Sequence, residues 1–319
     1  MWGKIAGILI IIFILFGLFV PINTTDITGT NTSTQNAQVA ITYGETTNNN
    51  QNYKDMVDQY FMDHSDVNLD NAKTTIITAN EVNQISQGIS NRTYNENQIL
   101  SCALVDLSTN NDLKVDVDKS KITLVTENMY KSALNSSGIT QGYVVVTSPT
   151  TATGESALAG VMQSYEKATG KQIPDSLKDA ANKEIYTESQ VVNDSNATAD
   201  QVADVVSQAK QQAEEQNTTD KTVINNIITN ITQNNNININ NNSINELADS
   251  VATSQSLKDE ATNYQSQISD YVNTNDAQTL FEQIYNYITS LFNFNTDNSN
   301  SDSGSESNLT NNITENSTT

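Results

Sequence analysis

One cysteine, one histidine and three prolines in 319 residues remove whole classes of chemistry. A zinc site built from Cys and His, a paired-cysteine redox centre and a disulfide framework all need more of these residues than the chain holds. Basic side chains are scarce as well, with 15 Lys and Arg against 37 Asp and Glu and a formal net charge of −22. Affinity for a phosphate backbone rests on clustered Lys and Arg, so nucleic acid is not an expected partner. The phosphate-binding loop and the Gly-rich dinucleotide fingerprint do not occur, and no cofactor is expected. What is plentiful is Asn (45), Thr (39) and Ser (30), together more than a third of the chain. Segments this polar cannot bury enough apolar surface to offset chain entropy, so part of the sequence is expected to stay disordered.

Long apolar runs are also rare, with one exception. Lys4 precedes an uninterrupted apolar stretch from Ile5 to Val20, and the next charge is Asp26. As a helix it spans about 24 Å, slightly short of a hydrocarbon core of about 30 Å, and Trp2, Lys4 and Ile22 can extend it at the interfaces. The sequence after Val20 offers no small-x-small cleavage site, which favours a retained anchor over a cleaved signal peptide for residues 1–22. No Cys follows the run to carry a lipid. Either reading puts the bulk of the chain outside the cytoplasm, with Lys4 inside. The expectation is a single-pass cell-membrane protein held through residues 5–20, or a secreted one if the leader is cleaved.

Residues 23–37 are almost wholly Thr, Asn, Ser and Gln and read as a disordered tether. Residues 38–190 alternate between short β-branched runs and helical faces, which predicts an α/β (α+β) domain. Strands are expected at Val39–Tyr43, Thr75–Thr78, Leu100–Leu107, Leu113–Val117, Ile122–Val125 and Tyr143–Thr147. Tyr53 to Phe61, Met129 to Leu134 and Leu158 to Tyr165 recur at helical spacing. Thr153 or Ser156 is placed to cap the last of these helices, and Gly170 to end it. Residues 191–292 read as an α-helical region, with faces at Val202–Ala209, Val223–Ile231, Leu257–Tyr271 and Leu280–Phe292 and an Asn-rich break at 233–242. Residues 293–319 hold four acids and no base and read as a disordered acidic tail.

Several blocks resemble one known family. They are Ile41-Thr42-Tyr43-Gly44, Ile122-Thr123-Leu124-Val125-Thr126, Met129-Tyr130, Ala133-Leu134, Ser137-Gly138-Ile139 and, most specifically, Thr153-Gly154-Glu155-Ser156-Ala157-Leu158-Ala159-Gly160-Val161-Met162 followed by Tyr165-Glu166-Lys167-Ala168-Thr169-Gly170. On these the chain resembles the secreted bacterial and archaeal family called domain of unknown function 1002, over about residues 38–220 and more loosely over 221–292. The resemblance implies an exported, envelope-associated protein and carries over no catalytic residue. The Asn-rich insert, the long Asn/Ser tail and Cys102 depart from the family pattern.

Two constellations suggest chemistry. Gly154-Glu155-Ser156 begins like a nucleophile elbow, with Ser156 as nucleophile and His64 the one available imidazole, but the fifth position is Leu158 where the tight turn needs Gly. Helix-start chemistry explains the same residues. Asp116, Asp118, Ser120 and Glu127 occupy positions 1, 3, 5 and 12 of a calcium loop, yet Lys121 stands where Gly is required. A polar turn between two strands accounts for them equally well. Cys102 reads as a buried strand residue. Paired carboxylates for glycosidic hydrolysis have no specific signal among 37 acids. The leading expectation is therefore a membrane-anchored, extracytoplasmic, non-enzymatic binding or structural module of the cell envelope, with an envelope protein or polymer as partner. The alternatives are an envelope hydrolase using Ser156 or acidic residues, and a cation-dependent adhesion or binding protein.

Overall fold

The computed structural model describes residues 38–90, 92–108 and 112–272. A five-stranded mixed sheet is built from β1 (Val39–Gly44), β2 (Lys73–Ile77), β3 (Cys102–Asp106), β4 (Lys114–Val117) and β5 (Tyr143–Thr147), in the order β2-β1-β3-β5-β4. The outer strands run parallel to their neighbours, β2 to β1 and β4 to β5, while β3 lies antiparallel between β1 and β5. The parallel pairs need crossovers. The short α1 (Glu45–Asn48) and α2 (Gln51–His64) supply the first, and α4 (Glu127–Ser136) the second.

Alternation along β1 sorts its side chains between two layers. Val39, Ile41 and Tyr43 pack with Cys102, Leu104 and Val145 against Val57 and Phe61 of α2. Ala40, with Ala103, Val105, Val144 and Val146, faces the other way into a larger core filled by α4 and α5 (Glu155–Thr169). Thr42 belongs to this second face, where its hydroxyl meets that of Ser164 at 2.7 Å. Helix α3 (Ala79–Ser86) starts with a full capping box between Thr78 and Glu81.

Helices follow. They are α6 (Asp175–Asp194), α7 (Ala199–Glu215), α8 (Lys221–Asn234), α9 (Asn241–Ser256) and the helical stretch 258–272. Helix α6 joins two cores: Leu177, Ala181, Ile185 and Tyr186 enter the core under the sheet, whereas Val191 enters a second one made by α7, α8 and α9. Between α8 and α9 the chain leaves the helix over residues 235–240. Asn236 takes a left-handed φ of 53°, which Asn tolerates, and Asn240 caps α9 by accepting from the Ser243 amide at 2.9 Å.

Three expectations change. Ile122–Val125 is not a strand: it makes one isolated parallel bridge, Ile122 to Ala152, because Gly154 at φ 106° then turns the partner segment into α5. Its apolar residues still serve the core, with Ile122 and Val125 buried. Neither Thr153 nor Ser156 caps α5, since Gly154 occupies that position without a side-chain cap, although Gly170 ends the helix in the left-handed region as expected. Helices α3, α6 and α9 were not among the helical faces expected from spacing, and in α6 the reason is plain. Glu184 and Glu188 sit on its buried face.

Among the described residues no helix is long and apolar enough to cross a membrane. The apolar run 5–20 and the expected Leu280–Phe292 helix lie outside those residues.

Candidate functional site

The start of α5 concentrates polar groups. Tyr130 on α4 donates its hydroxyl to the Gly154 carbonyl at 2.5 Å. A Cβ at Gly154 would stand 2.7 Å from Ile122 Cγ2 and 2.9 Å from the Tyr130 hydroxyl, so both conformation and space require glycine. Glu155 follows as the first helical residue, where a carboxylate complements the helix dipole. Its side chain is 1% exposed, and Arg92 Nη1 bonds Oε1 at 2.6 Å, while Oε2 has no hydrogen-bond partner. The phenols of Tyr94 and Tyr186 lie alongside. Burial and then the Glu155 charge push Tyr94 up, and burial and then Tyr94 push Tyr186 up. Arg92 also borders a cleft of about 410 Å³, with Asn80, Asn83, Gln84, Gln87 and Ser90 among its walls.

Ser156 is the next residue, but nothing among the described residues hydrogen-bonds its hydroxyl. His64 ends α2, where it stacks on Tyr60 with centroids 3.8 Å apart and its Nδ1 lies 2.9 Å from the Tyr60 carbonyl. Helix α2 covers one face of the sheet and α5 the other, so the sheet stands between Ser156 and His64. The structure does not bring these two residues together.

Of the four residues of the calcium template, Asp118 and Ser120 bond each other, while Asp116 and Glu127 bond elsewhere. Asp118 Oδ1 accepts from the Ser120 amide and hydroxyl at 3.0 and 2.6 Å, and Oδ2 accepts from Thr147 at 2.7 Å. Asp116 accepts from the Tyr143 hydroxyl at 3.1 Å, and Glu127 pairs with Lys119 at 3.1 Å. The polar turn exists, closed by Lys121 and Ile122 amides on the Asp118 carbonyl, but it leads to α4. Among the described residues no group of three or more His, Cys, Asp or Glu side chains is placed to hold a metal ion. Cys102 is buried on β3, and burial pushes its thiol up to about 12.

A second polar cluster joins four helices. Lys210 of α7 donates to Glu184 of α6 and to the Ser132 and Ser136 hydroxyls of α4, the latter two at 2.9 and 2.6 Å. Glu184 also accepts from Ser136 at 2.9 Å and from Ser254 of α9 at 3.2 Å. One turn along α6, Glu188 is fully buried with neither oxygen partnered, and burial followed by the Glu184 charge raises its carboxyl well above the usual range. Buried charges persist only when paired, which Lys210 does for Glu184.

Sequence reasoning singled out neither cluster. Two signals were available: Arg92 is the only arginine in the chain, and Glu184 and Glu188 interrupt an otherwise apolar helical face.

Comparison with known proteins gives a family and a partial relative. The model of the family described as "Protein of unknown function (DUF1002)" matches residues 43–271. The Bacillus subtilis (strain 168) "Uncharacterized protein YpuA" is 30% identical over 134 residues, which is 41% of this chain and 46% of that protein. The match thus spans about half the length of that relative. No solved structure matches.

Proposed function

The chain belongs to the DUF1002 family, and we propose that it acts as a non-enzymatic binding or structural module of the cell envelope, held outside the membrane by its N-terminal apolar run. The observation that carries the modular reading is how the fold uses its reactive side chains. Glu184 and Lys210 bind one another and three serines across α4, α6, α7 and α9, Glu155 holds Arg92, and Asp118 closes a turn. These groups brace one element against another. The envelope part of the reading is supported by Lys4, the apolar residues 5–20 and the absence of charge before Asp26.

Membrane fractionation with N-terminal sequencing tests the location: the protein is expected in the membrane fraction with Trp2 or Met1 retained. A mature start near residue 23 would show a cleaved leader, and recovery in the cytoplasm would overturn the proposal. Screening cell-wall polymers and peptides tests the modular reading. Turnover that Ser156→Ala abolishes would establish the hydrolase alternative instead. Calorimetry with millimolar calcium is expected to give no binding heat, and a saturable isotherm would favour the cation-dependent reading.

A further inference from the structure

The tripeptide Asn-x-Ser/Thr, the acceptor for N-linked sugar, occurs twelve times in the chain. A sequence with 45 Asn, 39 Thr and 30 Ser makes such tripeptides by composition, so their number decides nothing. The fold treats them differently. Six have all three residues described, beginning at Asn135, Asn193, Asn196, Asn217, Asn230 and Asn241, and all six asparagines are exposed. The hydroxyl two residues on separates them. Ser137, Thr232 and Ser243 are buried. Residues two apart on a helix do not share a side, so Asn230 of α8 and Asn241 of α9 look outward while Thr232 and Ser243 are buried. Ser195 accepts from the Ala197 amide and Thr198, the cap of α7, from the Gln201 amide, both at 3.2 Å. These hydroxyls serve the fold.

Asn217-Thr218-Thr219 is the exception among the six. It follows α7, where Asn217 takes a left-handed φ of 47°, a conformation Asn tolerates. The Asn217 amide donates to the Glu214 carbonyl and the Thr218 amide to the Ala213 carbonyl, both at 2.9 Å, which is the pairing that closes a helix on a left-handed residue. The helix end thus uses the backbone of Asn217 and leaves its side chain outside. Asn217 and Thr219 are both exposed, and among the described residues nothing hydrogen-bonds the side-chain amide of the one or the hydroxyl of the other. Of the six, this tripeptide alone presents both groups free, and it does so in a turn.

We propose that Asn217 is a modification site that carries an N-linked oligosaccharide, an inference that rests on the extracytoplasmic placement proposed above. The sugar donor is an oligosaccharide held through C1 on a lipid phosphate or pyrophosphate. The side-chain nitrogen of Asn217 attacks C1, the N–C1 bond forms, the C1–O bond to phosphate breaks, the lipid phosphate leaves and the nitrogen gives up one proton. Attached at this turn, the sugar leaves the buried faces of α7 and α8 in place.

The test is peptide mapping by mass spectrometry of the full chain, purified from the cells that make it and from whichever fraction holds it. Trypsin cuts after Lys210 and Lys221, so the peptide 211–221 contains this tripeptide and no other of the twelve. It is expected to carry added sugar mass that fragmentation places on Asn217, with Asn135, Asn230 and Asn241 bare. Asn217→Gly keeps the left-handed helix end and Thr219→Ala removes an unbonded hydroxyl, so both variants fold. Each is expected to lose the added mass completely, and Thr219→Ser to retain it. A bare 211–221 peptide in protein from the membrane fraction or the medium overturns the inference and leaves the placement standing. A bare peptide in protein recovered from the cytoplasm overturns both. Sugar on Asn135, Asn230 or Asn241 in place of Asn217 also overturns the inference.

Discussion

Arg92, the chain's only arginine, closes on Glu155, the residue that opens α5, with Nη1 2.6 Å from Oε1. The two partners are unequally placed: the carboxylate is 1% exposed and the guanidinium 43%. Removing the arginine strands a buried carboxylate, yet water already reaches its partner's side. Arg92→Ala is therefore expected to cost about 1–3 kcal/mol, less than the roughly 3–5 kcal/mol of a fully buried pair. In a chain of this size that lowers Tm by about 2–4 °C per kcal/mol. Arg92→Lys should recover only part, because an ammonium is a point charge without the planar fork. Denaturant melts of Arg92→Ala, Glu155→Gln and the double variant check the coupling, and strictly additive losses would show there is none.

Glu188 predicts a pH dependence. Facing it are Glu184 one turn earlier on its own helix and Lys210 from α7, with the Ser254 hydroxyl of α9 and the Ser132 and Ser136 hydroxyls of α4 bound to the same Glu184–Lys210 pair. Its folded carboxyl is raised above the ordinary value of 4.5, so between that value and the folded pKa the native state holds a proton that the unfolded chain has lost. The stabilisation is complete below about pH 4.5 and is lost as pH rises towards the folded pKa, at about 1.4 kcal/mol per pH unit. Glu188→Gln mimics the protonated acid and removes this component. Stability curves from pH 5 to 9 should therefore diverge, the variant becoming the more stable as pH rises; parallel curves would refute the assignment.

Two glycines separate backbone strain from crowding. Gly138 (φ 79°) and Gly88 (φ 81°) share a left-handed conformation, but a Cβ at Gly138 would collide with the Ala261 carbonyl, whereas at Gly88 it meets nothing within 4 Å. Gly88→Ala should cost about 1–2 kcal/mol, the conformational penalty alone. Gly138→Ala should cost more and should loosen residues 258–272 from the end of α4, which limited proteolysis would detect as new cleavage in that stretch. Equal costs would mean that the carbonyl moves aside freely.

Cys102 is a reporter of unfolding. It is fully buried on β3, accepts from the Gly44 amide at 3.4 Å, and burial raises its thiol to about 12. A thiol-specific reagent at pH 8 should label the native protein only as fast as it opens, and labelling should become immediate in denaturant. Rapid labelling of the native chain would contradict its burial.

Much of the fold was legible because it is local. Tyr143–Thr147 reads as a strand from β-branched residues alone, and Val39, Ile41 and Tyr43 alternate onto one face as their spacing demands. Gly170 ends α5 because few other residues adopt its φ of 67°. Ile122–Val125 misled because the same apolar residues that make a strand also fill a core from a loop. Helix α6 was hidden because Glu184 and Glu188 disguise a buried face as a polar one.

The sequence by itself determined the inventory: a single Cys and a single His, 37 acids against 15 bases, the family blocks, and most of the elements. Those follow from composition and from periodicities of two and 3.6 residues, which act within a segment. Only the tertiary structure decided the strand order, the separation of Ser156 from His64 by the sheet, and the meetings of Arg92 with Glu155 and of Lys210 with Glu184, 63 and 26 residues apart in the chain. Such pairs form because a buried charge must find its partner wherever packing delivers one, and no local pattern records where that will be.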